Sequence, residues 1–257
     1  RILAAHGMEK VRITGGEPLL RKNICQLIEW VAQTQGIQQV AMTTNGHVLD
    51  RFAQSLRDAG LRRLNVSLDT FDPTEFARLT GGGDLERVLV GLQAARDAGF
   101  EDIRINTVLA GQHSASDLRA FVTRCWREGW TPRFIELMPI GGLPFQRAAD
   151  PETSAHVWEG LEDGLTLGSL LQDGERTAGP AHYRQVLTGP FAGSLVGTIS
   201  PMSDDGFCGT CNRVRLSARG GFRPCLANDD EVSILHYLRN GATDGELMLA
   251  IQSALGE

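Results

Sequence analysis

The chain has 257 residues, 42% of them hydrophobic and 22% charged, which suits a globular protein with a sizeable core. Its formal net charge of −6 gives no global basis for binding nucleic acid, so any anionic ligand must be held by locally placed Arg and Lys. No run of about 18 apolar residues offers a membrane span, and the opening residues do not read as a signal peptide; five cysteines, an odd number, argue against a disulfide framework and for a reducing, cytoplasmic setting.

In chain order, residues 1–6 read as the tail of a helix and Gly7 as its cap. A strand and most of a helix are therefore expected upstream, and the N-terminus reads as truncated. Short apolar runs at 10–14, 39–43, 63–68, 102–109 and 133–137 read as buried strands. Amphipathic, helix-length stretches at 23–34, 85–98 and 115–128 lie between them, and Gly99 stops one of these helices. This βαβα rhythm implies a parallel sheet with helices outside, and five such strands suit a full or partial (β/α) barrel. From 140 to 180 the pattern weakens into a linker with one short helix near 165–171. Beyond it, 183–187, 195–200, 213–217 and 221–225 read as short antiparallel strands, and helices at 230–239 and 244–255 close the chain. The expected units are a barrel over 1–139, a linker over 140–181 and a C-terminal lobe over 182–257.

The strongest chemical motif is Cys208-Gly-Thr-Cys211 followed, after thirteen intervening residues, by Cys225. Three soft thiolates at this spacing can hold one face of a metal or cluster, leaving a position open for a substrate. A zinc site completed by His236 or Asp229, or plain buried thiols, are the other readings of the same residues. Arg213 and Arg215 follow directly and share a face if that stretch is a strand; arginine suits bidentate phosphate recognition. Lys10 and Arg12 share a face of an earlier strand, where burial is costly unless they meet anions. Thr14-Gly15-Gly16-Glu17-Pro18 stands at a strand's C-terminal end, the active face of a barrel, with two glycines that let a ligand approach the backbone. Thr43-Thr44-Asn45-Gly46, Ser67-Leu68-Asp69 and Arg104-Ile105-Asn106 place polar groups on the same rim, and the run from Arg133 through Met138 ends the last barrel strand. Cys25 and Cys125 lie in apolar helical patterns and read as packed thiols.

The order of these motifs resembles the GTP 3′,8-cyclase family throughout: RITGGEPL, TTNG, VSLD, the Leu-Thr-Gly-Gly-Gly run at 79–83, RFIELMPIG and FCGTCNRVRLS…CL. The resemblance implies a partial (β/α)6 radical S-adenosylmethionine (SAM) barrel, its first strand missing here, with a small C-terminal α+β lobe. It implies conversion of GTP to (8S)-3′,8-cyclo-7,8-dihydroguanosine 5′-triphosphate, the first step of molybdenum cofactor biosynthesis. By the same resemblance Cys208, Cys211 and Cys225 would hold a [4Fe–4S] cluster that meets the substrate. Gly16, Ser67 and Met138 would contact SAM, and Lys10, Arg12, Thr43, Arg104, Arg133, Arg213 and Arg215 would line the GTP site. No catalytic acid or base is assigned, because in a radical mechanism the cofactor carries the hard step.

Three departures from the family pattern stand out. The C-x3-C-x2-C loop that would bind the SAM-cleaving [4Fe–4S] cluster is not in this sequence, Arg104 stands where the family usually has Lys, and the chain ends without the family's Gly-Gly tail. The chain by itself is therefore expected to be inactive. The expected partners are GTP, SAM, an electron donor and, by pathway, cyclic pyranopterin monophosphate synthase, with room for a homodimer and no nucleic acid or membrane. Two rivals remain: another radical SAM enzyme with an auxiliary cluster, such as a peptide-maturing one, and a non-enzymatic zinc-binding module.

Overall fold

The computed structural model describes residues 1–110, 113–138, 153–171, 180–209, 211–227 and 230–256. Much of the expected linker, 140–152 and 172–179, and the candidate zinc ligand Asp229 lie outside the described residues.

A short helix α1 (Ile2–Ala5) leads into β1 (Lys10–Ile13). Then come α2 (Ile24–Ala32), β2 (Gln39–Thr44), α3 (Ala53–Asp58), β3 (Arg63–Ser67), α4 (Pro73–Thr80), α5 (Leu85–Asp97), β4 (Asp102–Leu109), α6 (Ala115–Arg127) and β5 (Thr131–Glu136). The five strands pair in sequence order and in parallel. Strand alternation decides which side chains meet the helices. Val40 and Met42, Leu64 and Val66, and Ile103 and Ile105 turn outward and pack with Ile24 and Ile28 of α2, Leu56 of α3, and Val88 and Leu92 of α5. Burying each such side chain contributes about 1.5–3 kcal/mol. The helices start where the sequence offers caps: Asp72 and Asp84 accept backbone N–H groups of α4 and α5, and Ser114 with Asp117 forms a capping box on α6.

The sheet continues past β5. Helix α7 (Ser154–Glu162) is followed by β6 (Leu167–Leu170), β7 (His182–Val186) and β8 (Leu195–Ile199). β8 joins β5 in parallel, β7 joins β8 antiparallel, and β6 joins β7 antiparallel, giving the order β1-β2-β3-β4-β5-β8-β7-β6. Two expectations change here. The stretch near 165–171 is a strand rather than a helix, because pairing with β7 decides its conformation, and the helix of this region lies earlier, at α7. The 195–200 run has an antiparallel neighbour as expected, but it also extends the parallel sheet.

The chain ends in a small α+β lobe. β9 (Arg215–Leu216), β10 (Gly221–Arg223) and β11 (Val232–Ser233) form a three-stranded antiparallel sheet in the order β11-β10-β9. Helices α8 (Ile234–Arg239) and α9 (Asp244–Leu255) cover it, with Phe222, Ile234, Leu247 and Ile251 as its core. No described helix is long and apolar enough to cross a membrane.

Candidate active site in the barrel and C-terminal lobe

Because the apolar residues of β2–β4 face the helices, the residues between them face the concave side of the sheet. That side is strongly polar. Arg63 (5% exposed), Asn65 (0%), Arg104 (4%) and Arg133 (2%) are buried there. Asp102 binds two of these arginines at once: Arg63 Nε donates to Oδ2 at 2.5 Å, while Arg104 Nε donates to Oδ1 at 2.8 Å and its Nη2 to Oδ2 at 3.1 Å. Arg133 has neutral amide partners, donating to Asn106 Oδ1 from Nε at 3.0 Å and to Asn65 Oδ1 from Nη2 at 2.5 Å. Arg104 Nη1 donates to the Tyr183 hydroxyl at 3.0 Å.

Arg12 completes this group from β1. It remains accessible along the open sheet edge, yet protein fills most of its surroundings. That crowding, followed by the charges of Arg133, Arg104, Arg63 and Arg213, pulls its pKa down to about 10. Burial likewise lowers Arg63 and Arg133. Burial works to raise Asp102, but hydrogen bonds and charge from Arg104 and Arg63 outweigh it and hold the carboxyl below the ordinary carboxylate range. Among the described residues, then, Arg12 feels four other guanidiniums (Arg133, Arg104, Arg63 and Arg213), and Asp102 pairs with two of them, Arg63 and Arg104. So concentrated a positive charge in a recess calls for a polyanion.

Arg213 carries the group from the barrel into the C-terminal lobe. Its guanidinium lies over the Phe207 ring, 5.3 Å from the centroid. Exposure alternates along 213–217 with inverted polarity: Arg213 and Arg215 are half-buried, whereas Val214 and Leu216 are 39% and 65% exposed. The shared face expected for the two arginines is present, and it is the inward one.

Cys208, Cys211 and Cys225 are all exposed in this lobe. A turn joins the first two, Cys211 N–H donating to the Cys208 carbonyl at 3.1 Å. Pairing of Arg215 with Arg223 brings the segment ending at Cys225 beside the one beginning at Cys211. Arg215 feels the charge of both thiols; burial first, then Arg213, lowers its pKa. Burial would raise the Cys211 thiol, but hydrogen bonds from Arg213 and the charges of Arg213 and Arg215 outweigh it and lower the pKa, which favours thiolate. Among the described residues no three Cys, His, Asp or Glu side chains close around one point, as a single ion requires. A cluster takes its thiolates on separate irons, so neighbouring accessible thiols beside two arginines are a donor set that fits one.

The rim at the C-terminal ends of the strands holds the remaining expected residues. Glu17 ties it together: Oε1 accepts from Leu19 N at 3.0 Å and Thr44 Oγ1 at 2.7 Å, and Oε2 from Asn45 N at 2.7 Å. A Cβ built on Gly15 or Gly16 meets no atom within 4 Å, so packing does not demand glycine there and the backbone is open to a ligand. Ser67 is exposed and Met138 half-buried at the ends of β3 and β5, while Thr43 is half-buried beside its register partner Asn65. Lys10 is exposed at the start of β1. Of the two remaining cysteines, Cys125 is buried and Cys25 half-buried.

Sequence reasoning missed Arg63, Asn65, Asp102 and Tyr183. It also left Glu136 without a role. This buried carboxylate accepts from Ser154 N at 2.9 Å, from Met202 N and Ser203 N at 3.1 Å each, and from the Ser203 hydroxyl. It fastens the end of β5 to the start of α7 and to the turn that leads toward Cys208.

Comparison with known proteins finds two family models that match the chain. Residues 1–125 match the model of the radical SAM superfamily, and residues 130–257 match Molybdenum Cofactor Synthesis C. GTP 3′,8-cyclase 1 of Pseudomonas aeruginosa is 39% identical over 256 residues, covering 99% of this chain and 76% of the relative. The GTP 3′,8-cyclase of Heliobacterium modesticaldum is 40% identical over 257 residues, again covering 99% and 76%. Among solved structures, Streptococcus suis SuiB superposes with a TM-score of 0.53 at 20% identity, over 63% of this chain and 37% of that one, a likeness of fold alone. With relatives this similar along almost its whole length, the chain belongs to the GTP 3′,8-cyclase family of radical SAM proteins.

Proposed function

We propose that this chain binds GTP between the barrel and the C-terminal lobe and serves its conversion to (8S)-3′,8-cyclo-7,8-dihydroguanosine 5′-triphosphate, the first step of molybdenum cofactor biosynthesis. The observation that carries the substrate assignment is the guanidinium group running from Arg12 through Arg63, Arg104 and Arg133 to Arg213. With Asp102 paired to only two of them, these guanidiniums leave a surplus of positive charge that suits a triphosphate. Arg12, Arg133, Arg213 and Arg215, with Lys10, Thr43 and Arg104, hold the nucleotide. Open backbone at Gly16, with Ser67 and Met138 on the same rim, receives SAM.

Cys208, Cys211 and Cys225 hold an iron–sulfur cluster at the lobe, with the inward-facing Arg213 and Arg215 beside it. SAM, when bound and reductively cleaved, would supply the radical chemistry at the ribose. What these residues contribute is placement: they neutralise the phosphates, fix the nucleotide across the two lobes and leave the ribose facing the SAM rim.

Anaerobic reconstitution followed by equilibrium dialysis tests this reading. The parent chain should carry about four iron in its C-terminal lobe, and Cys208→Ala/Cys211→Ala should lose them. Arg213→Ala and Arg215→Ala, at parent iron content, should each weaken GTP about tenfold. Zinc in place of iron, or GTP affinity within twofold of the parent in both arginine variants, would refute it.

A further inference from the structure

Tyr183 comes from β7, two strands beyond β5, yet its hydroxyl lies among the barrel arginines. Gly197 on β8 makes this reach possible. Its register partners are Arg133 on one side and Tyr183 on the other. A Cβ at Gly197 would stand 2.8 Å from the Tyr183 ring and 3.2 Å from Arg133 Cγ, so the bare position lets both side chains cross β8 on the concave face. The ring then lies under Arg104, 5.7 Å from its guanidinium carbon. The phenol oxygen accepts from Arg104 Nη1 at 3.0 Å, with the Arg133 guanidinium close by.

Guanidinium groups only donate, so neither arginine can take the phenol's own proton. Among the described residues the hydroxyl bonds with Arg104 and with no acceptor. Tyr183 is also 5% exposed, where an unused donor is costly. We infer that Tyr183 is a substrate-binding residue whose hydroxyl donates to a nonbridging oxygen of the bound triphosphate, while Arg104 holds it in the donating orientation. Arg104, bound side-on by Asp102 and end-on to Tyr183, then acts largely by positioning the phenol.

The inference relies on the proposed function for the identity of the anion, so inorganic tripolyphosphate is the probe beside GTP. Binding of both is measured by equilibrium dialysis at fixed ionic strength and fixed pH. Tyr183→Phe keeps the ring over Gly197 and should weaken both ligands about tenfold. Replacing Tyr183 with 3-fluorotyrosine makes the hydroxyl a better donor and a poorer acceptor, so tripolyphosphate should bind at least as tightly as to the parent. Parent-like affinity in Tyr183→Phe, weaker binding by the fluorinated variant, or no tripolyphosphate binding by the parent would each overturn the inference. If the parent binds tripolyphosphate but not GTP, the nucleotide reading falls and the tripolyphosphate comparison alone decides the role of Tyr183.

Discussion

Glu136→Gln is nearly isosteric and isolates what the carboxylate does. Oε1 accepts from Ser154 N and the Ser203 hydroxyl, and Oε2 from Met202 N and Ser203 N. An amide replaces one oxygen with a donor. Placed at the Oε2 position it faces two backbone N–H groups that cannot turn away. Placed at Oε1 it lets the Ser203 hydroxyl rotate to accept, but Ser154 N–H still meets another donor. The better orientation therefore loses one bond to a charged acceptor, about 1.5–3 kcal/mol, and weakens the rest by removing the charge. A local loss of about 2 kcal/mol raises the opening constant roughly thirtyfold. Hydrogen exchange at the Ser154, Met202 and Ser203 amides should accelerate by that factor, with a lower urea midpoint. Ser203→Ala leaves the carboxylate its three N–H donors and should cost only about 1 kcal/mol. Parent-like exchange in Glu136→Gln would show that the carboxylate does not tie β5 to the cysteine-bearing segment.

Two further outcomes follow from the same geometry. Gly197→Ala forces a methyl against Tyr183 and Arg133 and should destabilise the chain by about 1–3 kcal/mol in urea titration, and an unchanged midpoint would contradict the close approach. Asp102, held below its ordinary pKa by Arg104 and Arg63, contributes stability that is present above about pH 3.9 and lost as pH falls through its lower folded value. Asp102→Asn removes the charged partner that Arg63 and Arg104 share and should cost about 3 kcal/mol at pH 7. The gap from the parent should close below about pH 4, and a gap independent of pH would exclude the charge as its cause.

The parallel half of the fold was legible because β2–β5 are buried by their neighbours and helices, so their apolar runs stand out between amphipathic stretches. β6 was not legible: Leu-Gly-Ser-Leu carries no alternation of its own, and its half-exposed residues take strand form through β7. The place of β8 was equally hidden, since residues 195–199 read as a strand but do not name β5 as a neighbour 64 residues earlier. Pairing of distant strands is tertiary information, and period-two patterning fixes faces without fixing partners.

The site divides along the same line. Arg63 with Asn65, and Asp102 with Arg104 and Asn106, repeat at every second residue inside otherwise apolar strands. That is the signal by which Lys10 and Arg12 were noticed, and it would have found them. Tyr183 had no such signal, because its partner Arg104 is 79 residues away and the bare Gly197 between them matters only once β5, β8 and β7 are side by side. The inverted strand around Arg215 argues most strongly for a ligand. A strand that turns two arginines inward and leaves Val214 and Leu216 outward reverses what burial alone would select. Such arginines call for negative charge on the inner side, which the Cys211 thiol, its pKa lowered, and the proposed phosphorylated ligand would provide.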